Sequence, residues 1–220
     1  VEATRSATED RRHRGARRTR SALATAALEL ILERGLAAAT VEAIAERADV
    51  TRRTFSRHFT GKEDAALDFA RLDGVLINAR LRARPPGEPP LLAYRRAVRE
   101  WLADPEAPAW HPRPRMRRLL ALVDAEPALF AAYARIRVDA QDESVRILAG
   151  RLGTDGLRDP RPAVVAEAAA GVLTAALRLW ARGAGDDDRG SADLAALVER
   201  AYDALSGEAA DAAAQCTAAQ

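Results

Sequence analysis

Thr40-Val41-Glu42-Ala43-Ile44-Ala45-Glu46-Arg47-Ala48-Asp49-Val50-Thr51-Arg52-Arg53-Thr54-Phe55-Ser56-Arg57-His58-Phe59-Thr60-Gly61-Lys62-Glu63 is the stretch whose reading decides the fold. Thr40 has the side chain of a helix N-cap, and Val41, Ile44, Ala45 and Ala48 follow at helical spacing. Ala48-Asp49-Val50 then turns the chain in three residues. A second short helix opens at Thr51 and ends around Phe59. Small side chains at Ala45 and Ala48 let the two helices cross closely, and Val50 and Phe55 plug the angle between them. Two helices joined so tightly make a helix-turn-helix, whose second helix enters a DNA major groove. Thr60, with Glu63 three residues on, has the pattern of a capping box opening a further helix.

Working outward, the same grammar continues. A helix over 17–34 carries Leu23, Ala27, Leu28, Ile31 and Leu32 on one side and stops at Gly35. The helix opened by Thr60 runs to about Arg82, with a bend expected near Gly74. A Pro/Gly-rich run at 85–90 breaks the chain. Further helices are expected at 91–103, 115–123, 127–152, 160–183 and 191–205, with Pro127 and Pro160 in first turns. The segments 105–114 and 183–190 read as irregular connections. No stretch alternates with period two, so the fold class is all-α. The chain divides into a flexible basic extension (1–16), a DNA-binding unit (17–65), a larger helical domain (66–206) and a flexible tail (207–220).

Charge supports this division. Residues 1–62 hold 13 basic and 8 acidic side chains, against 21 and 24 in the rest, so a basic front meets a polyanion. Six of the ten residues from Arg11 to Arg20 are arginine. Lys62 is the single lysine, so the arginines also have a compositional explanation. The single cysteine, Cys216, excludes a disulfide framework and any multi-cysteine zinc site. His13, His58 and His111 have no ligand spacing. No metal, cofactor or catalytic residue is expected. The N-terminus shows no apolar leader, and the apolar segment 163–181 reads as too short and charged to span a bilayer. The expectation is a cytoplasmic protein with no membrane partner.

The stretch from Thr40 to Glu63, together with Gly35, resembles the DNA-binding domain of the TetR (tetracycline-repressor-like) regulators. The resemblance rests on T-V-x-x-I-A-x-x-A, on T-F-x-R-H-F and on the lysine after it, and covers about residues 17–65. It implies an all-helical homodimer that binds a palindromic operator in double-stranded DNA. Matched residue by residue, it implies base contacts from Thr51, Arg52 and Arg53, a base-methyl or phosphate contact from Thr54, and phosphate contacts from Thr40, His58 and Lys62, with Arg57 beside them. A solvated helix face is the competing reading of Arg52, Arg53 and Arg57. Two positions depart from the family pattern. Asp49 stands where glycine is common, and aspartate tolerates the left-handed conformation better than most residues. Ser56 stands where a phosphate-binding tyrosine is common; it can still donate to a DNA phosphate, with shorter reach and no aromatic packing.

Residues 89–206 loosely resemble a TetR subgroup with an acyl-CoA-like ligand-binding domain. An apolar cavity among the middle helices is expected to take a small-molecule effector, with Trp101, Met116, Phe130 and Tyr133 as lining candidates. Plain core packing is the alternative for each. Arg137 and Gln141 are either polar anchors there or surface residues. The 160–183 helix is apolar over most of its circumference, including Val164, Leu173 and Leu177. With the 191–205 helix it forms a four-helix homodimer interface, or else it is a buried monomer helix. The leading reading is a repressor released by a small apolar or amphipathic molecule. The alternatives are a DNA-binding regulator without a small-molecule ligand and a helical enzyme, for which no catalytic constellation is visible.

Overall fold

The computed structural model describes residues 2–104, 114–182 and 190–218, which form ten helices with no strand among them. In chain order they are α1 (Glu2–Arg34), α2 (Val41–Arg47), α3 (Arg52–Ser56), α4 (Lys62–Ala66), α5 (Asp68–Ala83), α6 (Pro90–Ala103), α7 (Pro114–Ala125), α8 (Pro127–Leu152), α9 (Arg161–Arg182) and α10 (Gly190–Ala218). The expected connections over 105–113 and 183–189 lie outside the described residues.

The caps explain the small helices. The Ala43 amide donates to the Thr40 hydroxyl at 3.1 Å, and the Thr54 amide to the Thr51 hydroxyl at the same distance. Between α2 and α3, Asp49 adopts φ +53°, the left-handed turn expected of it. Gly35 ends the packed part of α1 at φ +81°. Phe55 is buried, with its ring centroid 5.8 Å from that of Phe59, and fixes α3 against the reader's core.

Several boundaries differ from expectation. α1 begins at Glu2 rather than Arg17, because the arginine-rich stretch is made largely of good helix formers and lacks proline. The helix after Thr60 is two helices, parted at Leu67 (φ −99°, ψ 10°), and α5 runs without a break through Gly74. Its cap also differs: Thr60 donates from its amide and hydroxyl to Asp64, at 3.0 and 3.1 Å, and Glu63 does not close a capping box on Thr60. α9 starts just after Pro160, whereas Pro127 does occupy the first turn of α8. α10 continues beyond Leu205 to Ala218, with every side chain of 206–217 exposed.

α5 is the middle of the larger domain, packed against both α6 and α8. Its crossing with α8 is close: a Cβ on Gly74 would lie 2.8 Å from that of Ala140. Asn78 Nδ2 donates to the Ala140 carbonyl at 3.0 Å, and Ser144 Oγ donates to Asn78 Oδ1 at 2.8 Å. The α5–α6 connection is tied down by charge. Arg151 donates to the carbonyls of Arg84 and Pro85 at 2.8 and 2.6 Å. Glu88 pairs with Arg84 and Arg96, and the Arg84 hydrogen bond, ahead of Arg96, holds its carboxyl down to about 2.

α9 resolves into two faces. Ala166, Ala169, Val172, Ala176, Leu177 and Trp180 are buried within the chain, while Val164, Gly171, Ala175 and Leu179 are exposed. Leu177 and the half-buried Leu173 line the inner cavity, so for these two side chains the structure follows the buried-monomer-helix alternative and not the dimer interface. On length and composition alone α9 could cross a membrane, contrary to the sequence reading of 163–181, but it packs against α6, α7, α8 and α10.

Candidate nucleic-acid interface and effector cavity

At the reader, α1 lies against α2 and α4, and α2 against α3. Thr51, Arg52 and Arg53 stand exposed at the start of α3. Arg52 is 2.9 Å from Glu42, but both side chains are more than half exposed, so the pair is weak and readily exchanged. Arg53 and Arg57 are exposed and make no side-chain hydrogen bond or ion pair among the described residues. The Thr54 hydroxyl lies 3.0 Å from that of Thr51. Thr40 and Thr51 use an oxygen lone pair as caps, which leaves each hydroxyl hydrogen able to donate. Ser56 is differently placed: its hydroxyl donates back to the Arg52 carbonyl at 3.2 Å.

His58 and Lys62 sit at the seams of the reader. Burial, then Arg20 and Arg57, lower the His58 pKa below its ordinary value, partly opposed by Asp68. Lys62 Nζ donates to the Leu36 carbonyl at 2.6 Å, tying α4 to the turn after α1.

Sequence reasoning missed Arg20. Its guanidinium donates to both oxygens of Asp68, with Nη2 at 2.6 Å from Oδ1, and Nη1 donates to the His58 carbonyl at 2.9 Å. The same group lies 4.4 Å from the Phe59 ring centroid. One side chain of α1 thus clasps the end of the recognition segment and the start of α5.

In the larger domain, an inner cavity of about 80 Å³ opens between α5, α6, α8 and α9. Trp101 and Tyr133 line it, as does the Leu173–Leu177 face of α9. Tyr133 also lines an adjoining outer cavity with Phe130, which is 46% exposed. Met116 is buried but lines neither cavity, so it belongs to the core. Arg137 lines both cavities; Gln141 is buried and donates to Glu167 at 2.6 Å, so it is not the surface residue of one reading.

The residue that sequence reasoning missed here is Asp73. It lines the inner cavity, is 8% exposed, and accepts from Trp101 Nε1 at 3.2 Å through Oδ1, while Oδ2 has no partner. Burial pushes its carboxyl well above the ordinary carboxylate range, only partly countered by Trp101. A signal existed: Asp73, Ile77 and Leu81 are spaced by four, so the acid interrupts a buried stripe.

A helix-turn-helix reader joined to a helical domain with an internal cavity defines a class, the one-component regulators that read DNA. Residues 23–66 match the family model for bacterial regulatory proteins of the tetR family, and residues 88–210 match that of the MftR C-terminal domain. The chain is 37% identical over 201 residues to the HTH-type transcriptional regulator TcmR of Streptomyces glaucescens, covering 88% of this chain and 85% of that protein. In fold it is similar to the fatty acid degradation regulator FadR from Bacillus halodurans (TM-score 0.51, 17% identity, 85% of this chain and 94% of that one). It is also similar in fold to a TetR-family regulator from Mesorhizobium loti (TM-score 0.50, 20% identity, covering 86% and 95%). The chain belongs to the TetR family and is a DNA-binding transcriptional regulator.

Proposed function

We propose that the protein is a cytoplasmic, homodimeric repressor whose grip on a palindromic operator is released by a small molecule entering the inner cavity. The observation that carries this reading is the placement of α5. Its first turn holds Asp68, clasped by Arg20 of the reader, and its next holds Asp73 in the cavity wall. A molecule that displaces Asp73 moves the helix to which the reader is fastened. Two readers must match two half-sites at once, so a small rotation weakens the hold on both.

In this reading Arg52 and Arg53 reach base edges from the first turn of α3, and Thr54 touches a base methyl or a phosphate. Thr40, Arg57, His58 and Lys62 hold phosphates, and Ser56 does so only by giving up its bond to Arg52. The exposed face of α9 at Val164, Gly171, Ala175 and Leu179 meets its copy, with α10 alongside; Gly171 and Ala175 allow the helices to approach closely. The test is selection of genomic fragments by the purified full chain, followed by anisotropy on the fragments recovered. A pair of inverted half-sites bound by a dimer supports the reading. Asymmetric sites bound by a monomer refute it.

A further inference from the structure

The inner cavity presents two polar groups that the fold leaves without partners. Asp73 Oδ2 is buried and unpaired. The half-buried guanidinium of Arg137 lines the same cavity and makes no hydrogen bond or ion pair among the described residues. Nearby carboxylates are engaged elsewhere: Glu167 accepts from Gln141 at 2.6 Å, and Asp124 at the outer cavity pairs with Arg178 and Arg182, both at 3.0 Å. Between the two groups the walls are aromatic and aliphatic, with Trp101, Tyr94 and Tyr133 contributing rings.

Each group sets a requirement. A carboxyl buried without a cation favours its neutral acid form, because an unpaired charge in an apolar site is costly. The neutral acid keeps one oxygen on Trp101 and offers its O–H to an acceptor. Arg137 cannot lose its proton and, with Asp73 neutral, is the one charged side chain among the described residues that line the cavity. It calls for an anionic oxygen, which it holds through a charge-assisted hydrogen bond. A cationic ligand meets repulsion from Arg137 and must strip the proton from Asp73.

We propose that the effector is an oxygenated aromatic organic acid, with its anionic group on Arg137 and a hydroxyl or carbonyl oxygen accepting a hydrogen bond from Asp73. This rests on the reading of the inner cavity as the effector site. The cavity of about 80 Å³ is smaller than a typical ligand pocket, so such a molecule must part α5 from α8 and α9 as it enters. Its entry and the displacement of Asp73 are one event.

The test is calorimetry on the full chain with four probes. They are a naphthoic acid hydroxylated on its far ring, its methyl ester, the unhydroxylated acid, and the naphthol carrying an aminomethyl group in place of the carboxylate. The hydroxy acid is expected to bind about tenfold more tightly than the ester or the unhydroxylated acid, and the amine most weakly. Arg137→Gln should erase the preference for acid over ester. Asp73→Asn, whose amide N–H still donates, should retain binding within about threefold, whereas Asp73→Leu should lose the contribution of the hydroxyl. Melting curves check that each variant folds.

Tighter binding of the amine, loss of hydroxy-acid binding in folded Asp73→Asn, or an unchanged acid preference in Arg137→Gln would overturn the proposal. If all probes bind alike and the cavity-filling Leu173→Trp abolishes them, the ligand class falls while the cavity stands. If neither these probes nor naphthalene bind, both fall.

Discussion

Asp68 and Asp73 lie little more than one helical turn apart on α5, yet they serve opposite ends of the molecule. Asp68 is held by Arg20 of α1 at 2.6 Å, and Asp73 receives the indole N–H of Trp101 from α6 at 3.2 Å. Arg20→Ala leaves Asp68 and the His58 carbonyl without that guanidinium. Partial exposure screens the pair, so a loss of about 1–2 kcal/mol in urea unfolding is expected. The sharper consequence is functional: the variant should bind operator more weakly and respond less to any molecule that enters the cavity. Anisotropy titrations with and without such a molecule measure both.

Base reading should reside in the first turn of α3. Arg52→Ala and Arg53→Ala are each expected to relax base preference at one symmetry-related pair of operator positions, at about 1–3 kcal/mol for each bidentate arginine–base pair removed. Arg52 must first leave Glu42, so Glu42→Gln should tighten binding slightly. Site selection with each variant checks the assignment, and unchanged preferences in both arginine variants would refute it.

The dimer prediction follows the two faces of α9. Val164→Asp and Leu179→Arg place charge on the exposed face, where an unpaired charge in a dry interface costs several kcal/mol. Both should give helical monomers with little operator affinity. Leu177→Glu, at a buried site, should unfold the domain instead. Sedimentation beside circular dichroism separates these outcomes.

Removing residues 1–16 takes away Arg5, Arg11, Arg12 and Arg14. If these neutralise phosphates, the slope of log affinity against log salt should flatten by up to about 0.9 for each phosphate no longer neutralised, uniformly across sequences. An unchanged slope would reduce this part of α1 to a solvated helix.

Acid stability should depend on Glu88. Its pKa is about 2 in the folded chain against an ordinary value of 4.5, so its contribution is complete above about pH 5. That contribution is lost as the pH falls from 4.5 towards 2, because the unfolded chain takes up the proton first. Glu88→Gln should therefore lower stability at neutral pH and flatten the acid limb between those values, as thermal melts across the range can record.

The reader is legible in the sequence because its signals are local. Thr40 and Thr51 cap within three residues, Asp49 turns within one, and Phe55 occupies a position fixed by helical period. The larger domain is legible as helices, with the bounds of α8 read correctly, because proline and glycine punctuate it. What stays hidden depends on packing between distant segments. Nothing near Arg20 names Asp68, 48 residues away, as its partner. A helix apolar over most of its circumference does not declare its orientation, which is why a sequence reading of α9 leaves Leu173 and Leu177 open between a dimer interface and the monomer core. The break at Leu67 has neither glycine nor proline to announce it.

The close approach of Gly74 to Ala140 bears on how such a regulator can change over generations. Any side chain at 74 would crowd Ala140, so that codon has almost no viable alternatives, and the crossing of α5 with α8 is inherited as a fixed frame. Gly74 and Ala140 themselves line the inner cavity, beside Tyr133 and Arg137. If the cavity takes the effector proposed above, substitutions at Tyr133 or Arg137 are expected to change which molecule it accepts while the α5–α8 crossing and the Arg20–Asp68 clasp stay as they are. On that reading a new specificity lies within reach of a single substitution, without rebuilding the clasp on α5.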